Sequence, residues 1–207
     1  MKSIRRFSLL TILGLLLAFP VTVFLCGTER WNVKVCSDPQ VKVLFQNNSV
    51  ATHQLKTPVH TTINDLRNMT VPGPLAIHTP RFVNSQAETN IWEIDGTLIE
   101  YKWENGATGD DDYHLIVRDS NGKTLVAEIP RQTCLSATPQ PLRNLIAQAR
   151  VAFDAKFSGS AQAAGTFKFT NTKVRITGQG FFDRPHASAS APNGIEIHPV
   201  MKIEFLN

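Results

Sequence analysis

Apolar residues follow different periods in different parts of this chain. From Thr28 to about Thr89 they are scattered, and Pro39, Pro58, Pro72, Pro74 and Pro80 interrupt any sustained helical or strand period. Within that lead-in, VKVLF (Val41 to Phe45) alternates like a strand. TTINDLRNM (Thr61 to Met69) reads as a short helix with Thr61 or Thr62 as its N-cap. The rest is better ordered. IWEIDGTLIEYKWE is a long β-prone run whose central Gly96 predicts a bulge or sharp bend. DYHLIVRD and KTLVAEIP follow, joined by the hairpin signal Ser120-Asn121-Gly122. After Pro141, the residues Leu142, Leu145, Ile146, Ala149 and Phe153 recur at helical spacing, and strand patterns return at Thr166 to Gly180 and in NGIEIHPVMKIEF.

Strand, strand, strand, helix, strand, strand is the order of a mainly β, five-stranded OB-like Greek-key barrel with its helix between the third and fourth strands. The expected boundaries are an N-terminal export or anchor helix over 1–27, an irregular lead-in over 28–89 and the barrel over 90–207. Side-chain parity then assigns faces. In the last strand the odd positions from Ile195 to Phe205, Pro199 included, form an apolar inner face, leaving Glu196, His198, Lys202 and Glu204 outside. A three-residue hairpin loop with Gly122 left-handed sets Val117 against Leu125, Leu115 against Ala127 and His114 against Glu128. A two-residue loop would instead mix the faces. In this topology the third and fifth strands are neighbours, so His114, Glu128, Glu196 and His198 are expected together on one solvent-facing surface.

Composition changes the picture in two places. Of the 21 basic residues, Lys2, Arg5 and Arg6 precede a long apolar run, which leaves 18 against 17 acidic residues. Bulk charge therefore gives no footprint for nucleic acid. The run Phe7 to Cys26 carries no charge and is long enough to span a bilayer, which predicts export, with membrane association through 7–26 if the segment is retained and a signal peptide if it is cleaved. Beyond it only Cys36 and Cys134 remain, a candidate disulfide in an oxidising compartment.

The chemistry concentrates in the second half. His114, Glu128, Glu196 and His198, with Asp183 and His186 in the loop GFFDRPHASASAPNG at the rim, are candidate ligand-binding residues, divalent-metal ligands or acid/base partners. Equally, His and Glu across an exposed sheet form weak pairs worth about 0.2–1 kcal/mol. No HExxH or nucleophile elbow occurs, and Asp110-Asp111-Asp112 lacks the twelve-residue calcium pattern and reads as a solvated loop. Trp92, Tyr101, Trp103 and Tyr113 are candidates for stacking on sugars or bases.

WNVKVCSD, DYHLIVRD, AEIPRQTC, GFFD followed by His186, and NGIEIHPV together resemble an uncharacterised family of exported bacterial proteins, over most of Glu29 to Phe205. Members usually carry His-Gly-Gln-x-Gly after the Gly-Phe-Phe-Asp motif, whereas here Ala187 and Ser188 follow His186. The resemblance implies the extracytoplasmic side of the bacterial cell envelope, anchored or secreted, and brings no activity. Three readings stand. The domain binds a saccharide, nucleotide or other polar small molecule on its outer strands, acts as a metal-dependent hydrolase at the same cluster, or serves as a structural envelope protein.

Overall fold

A computed structural model of the chain describes residues 56–71, 73, 86–104, 111–131, 135, 138–157, 165–183 and 189–207. The apolar run Phe7 to Cys26, the strand expected at Val41 to Phe45, Cys36, Cys134 and His186 lie outside the described residues. Among the described residues no helix is long and apolar enough to cross a membrane.

The elements run β1 (Val59–Thr61), α1 (Ile63–Arg67), α2 (Gln86–Thr89), β2 (Ile91–Trp103), β3 (Tyr113–Arg118), β4 (Thr124–Ile129), α3 (Gln140–Phe157), β5 (Lys168–Phe182) and β6 (Ile195–Phe205). The protein is mainly β, with one six-stranded mixed sheet in the order β1-β2-β3-β4-β6-β5. Because β2 also pairs with β5, the ladder from β2 round to β5 returns to its start. β1, within the expected lead-in, adds a parallel strand to the β2 half nearest Trp92, and β4 and β6 are the second parallel pair. The third and fifth strands of the predicted order are thus neighbours.

Local chemistry explains the turns. The Asp119 carboxylate accepts the N–H groups of Asn121 and Lys123 at 2.9 and 2.8 Å, and Gly122 takes a φ of 80°. The hairpin register follows, with Val117 opposite Leu125, Leu115 opposite Ala127 and His114 opposite Glu128. α1 starts at Thr62, whose hydroxyl accepts the Asp65 N–H at 3.0 Å, as expected of an N-cap.

Two expectations about strand shape need correction. The β2 bulge lies between Leu98 and Glu100 rather than at Gly96. Gly96 is small for another reason: a Cβ there would sit 2.6 Å from Val117 Cγ1, so any side chain would collide with the packed interior. In β6 the strict alternation breaks. Gly178 pairs with Val200 while Gly180 pairs with Ile197 and Thr177 with Lys202, so β6 carries one extra residue in each of two successive steps. Val200 and Met201, adjacent in the chain, both join the core. Two single insertions cancel in parity, which keeps Ile195, Ile197, Ile203 on the inner side despite the interruption.

Inside the sheet pack Ile94, Leu98, Leu115, Val117, Leu125, Ala127, Ile129, Val174, Ile176 and Ile197. α3 buries Leu142, Ile146, Ala149 and Phe153, one stripe at 3.6-residue spacing, and packs chiefly on β6. Phe153 meets Tyr101, Tyr113 and Phe157 with ring centroids 5.3, 4.8 and 4.9 Å away. The helix therefore closes one end of the core with aromatic rings.

Candidate functional site

Two registers place three side chains in one row. His114 on β3 is directly opposite Glu128 on β4, and the parallel pairing of Val126 with Glu196 and Ala127 with Ile197 brings the next outward residue, His198, alongside Glu128. The Glu128 carboxylate meets both imidazoles, with Oε1 2.9 Å from His114 Nδ1 and Oε2 3.1 Å from His198 Nδ1. A carboxylate only accepts, so each ring donates its Nδ1–H to Glu128.

Asp112 adds a second carboxylate. Its Oδ1 accepts the Arg131 N–H at 3.1 Å and its Oδ2 lies 4.0 Å from His198 Nδ1. Ligand atoms of Asp112, Glu128 and His198 all fall within 4.8 Å of one another. Around a cation with bonds of about 2.0–2.2 Å, neighbouring ligand atoms sit roughly 3.0–3.4 Å apart and opposite ones about 4.2 Å. Two of the three separations, 3.1 and 4.0 Å, lie between those limits, and the third is no more than 4.8 Å. The shell extends outward in both directions. Glu104, ion-paired with Lys102, has Oε1 3.9 Å from His114 Nδ1, and Phe167 and Phe181 lie against His114 and His198 with centroids 5.9 and 5.7 Å apart. Asp111 takes the Trp103 indole N–H at 2.8 Å and pairs with the Arg131 guanidinium, which fixes the segment that carries Asp112.

The row shares a face, as the two parities required, but that face is not open to solvent. Relative exposures are 3% for His114, 2% for Glu128, 3% for Glu196 and 0% for His198. The sign of this was present in the strands themselves. Ile116 and Val126 have the same parity as His114 and Glu128, are buried, and stand outside the inner core. A strand apolar on both faces is covered on both faces. Asp112 corrects the solvated-loop reading of its acidic run, since it is 3% exposed. Its spacing two residues before His114 put it on the same side. Asp183 follows the end of β5, half-buried, and its N–H donates to Gly194 O at 2.8 Å. Glu196 lies one pleat before His198, opposite Phe181.

The aromatic candidates do not form a stacking face. Trp92 and Tyr101 belong to the inner core, and the Trp92 indole donates to Ala87 O at 2.8 Å. Tyr113 is also a core residue, its hydroxyl donating to Asp154 at 2.6 Å with Arg150 over its ring at 4.0 Å. Burial, then the bond to Asp154, push its phenol up to about 12. Trp103 is half-buried and spends its N–H on Asp111. Alternation in β2 and β3 put these rings on the side opposite the polar row.

No family model matches the chain, and no curated protein does. Among solved structures it is similar to part of an aspartyl-tRNA synthetase chain from Leishmania major Friedlin, at a TM-score of 0.40 and 12% identity, covering 76% of this chain and 22% of that one. An Entamoeba histolytica asparaginyl-tRNA synthetase in complex with asparaginyl-adenylate aligns at a TM-score of 0.35 and 10% identity, covering 73% and 24%. The chain thus spans less than a quarter of the length of either.

Proposed function

We propose that the protein is an exported, OB-like Greek-key barrel of the bacterial cell envelope that holds one divalent cation between Asp112, Glu128 and His198 and uses it to hydrolyse a small polar substrate. The barrel reading is supported by the ladder that returns from β5 to β2 and by the parallel β4–β6 pair. Export is supported by the uncharged run Phe7 to Cys26 behind three basic residues. The observation that carries the metal is the buried meeting of one imidazole and two carboxylates within 4.8 Å.

Three protein ligands leave coordination positions for water, as in hydrolytic sites, whereas structural zinc sites use four. A bound cation lowers the pKa of that water towards 7. His114, hydrogen-bonded to Glu128 through Nδ1, stands beside the centre and orients its carboxylate ligand. His198 Nδ1–H is hydrogen-bonded to Glu128, and a cation held through Nδ1 would take the place of that proton, which would be released to water. Burial of the row disfavours a polymeric ligand lying across these strands and selects for a small one.

The test is elemental analysis of the full-length protein purified without chelator. One equivalent of divalent metal is expected, with affinity rising with pH and at least a tenfold loss in Asp112→Asn and in His198→Ala. A protein that stays metal-free in micromolar zinc or manganese, with an unfolding midpoint indifferent to either ion, would overturn the reading.

A further inference from the structure

About four residues along β3 from the polar row, roughly 13 Å at strand rise, the molecule carries a second polar feature. A groove of about 580 Å³ opens between the start of α1, the middle of β2, the β3–β4 turn and the β5 residue Lys173. That volume lies in the range of small-molecule sites, about 300–1,000 Å³. Its charges are unevenly committed. The Asp95 carboxylate is taken by Arg175 through bonds of 2.7 and 2.9 Å, and the Asp119 carboxylate is taken by the N–H groups of its own turn. Arg118 and Lys173 also line the groove, and among the described residues no ion pair engages either.

Register brings these two cations together. Thr97 is opposite Arg118 on one side and opposite Lys173 on the other, so all three side chains leave the same face. The Cα atoms of Arg118 and Lys173 are therefore about two strand spacings, roughly 9–10 Å, apart. Both side chains are long enough to converge on one oxyanion above the Thr97 hydroxyl. Arg offers a planar fork and Lys a point charge, a pairing suited to a doubly charged group.

We infer that this groove binds a small molecule by its phosphate group, clasped between Arg118 and Lys173, with the body of the molecule lying towards the β3–β4 turn. The site is separate from the cation centre and does not depend on it. The experiment follows backbone amide shifts of the full-length protein during titration at constant ionic strength with inorganic phosphate, ribose 5-phosphate and ribose. Ribose 5-phosphate is expected to shift Thr97, Arg118, Asn121 and Lys173 saturably and to bind at least tenfold more tightly than inorganic phosphate, and ribose alone is expected not to bind. Arg118→Gln with Lys173→Gln should weaken binding by at least tenfold while leaving metal content and the rest of the spectrum unchanged. Equal affinity for the two phosphates, shifts centred elsewhere, or binding that survives the double substitution would overturn the inference.

Discussion

The strands β3, β4 and β6 have two faces that are equally dry and chemically opposite. Inward they present Leu115, Val117, Leu125, Ala127 and Ile197, and outward His114, Ile116, Val126, Glu128, Glu196 and His198, all buried. The inward face gains about 25 cal/mol for each Å² of apolar surface removed from water. The outward row loses hydration of an ionised carboxylate and two imidazoles, and its mutual hydrogen bonds offset that loss only while every partner is present. A face of this kind contributes little net stability, so its residues are explained by chemistry better than by folding.

The comparison can be broken most severely on the inward side. Phe153→Ala removes the ring that Tyr101, Tyr113 and Phe157 surround and should cost about 3–5 kcal/mol in urea unfolding. Metal stoichiometry of the folded fraction should not change. A loss below 1 kcal/mol would show that α3 is not part of the core.

Adjacent residues on β3 sharpen the contrast by pH. The Tyr113 phenol, on the inward face, is raised from near 10 to about 12, so folding favours the protonated form. Its contribution is complete below pH 10 and is lost as pH rises to 12, by about 2–3 kcal/mol. The chain has only two tyrosines, so phenolate absorbance of the native protein can resolve a late-titrating one. A phenolate transition near 10 that disappears in Tyr113→Phe would contradict the burial.

Smaller again is Glu128→Gln, which keeps the shape but leaves one Nδ1–H facing an amide. A loss of about 1–3 kcal/mol is expected, together with loss of the cation. By contrast, simultaneous His114→Leu, Glu128→Leu and His198→Leu should leave stability nearly unchanged or raised, while abolishing metal binding. If the single change were harmless and the triple one unfolded the protein, the row would be a structural network.

The smallest effect belongs to the solvent-exposed Asp95–Arg175 pair, whose side chains are 43% and 38% exposed. Arg175 holds the Asp95 carboxyl below its usual range, so this pair's contribution is present above about pH 4 and fades as acid protonates Asp95. Asp95→Asn should leave the unfolding midpoint at physiological salt within error, because exposed pairs are screened.

Much of this arrangement is legible in residue order. The hairpin register follows from Asp119, Gly122 and the requirement that Leu115, Val117 and Leu125 share a side. The α3 stripe follows from its spacing. Depth was not legible, because a period of two separates faces without saying which is wet. Ile116 and Val126 held the missing information, as a second apolar set on the supposedly polar side. Asp112 escaped for a related reason: read as one of three consecutive acids it looks solvated, and read two residues before His114 it belongs to the row. The β6 insertions were invisible, because two extra residues cancel and leave the alternation at both ends intact.

The returning ladder has a kinetic meaning. β6, the last strand described, sits between β4 and β5, and β5 must reach back to β2, where Arg175 meets Asp95 across 80 residues of chain. Neither the β4–β6 nor the β2–β5 junction can form from a local hairpin. Closure over such separations delays the rewarding contacts and places folding in the range of about milliseconds to seconds rather than microseconds. Until Ile195 to Phe205 arrives, β4 and β5 each offer an unpaired edge, and the same late segment carries His198. Completion of the fold and the meeting of His198 with Glu128 are therefore one event, and a chain halted before it is open to edge pairing and lacks the imidazole of the proposed cation centre.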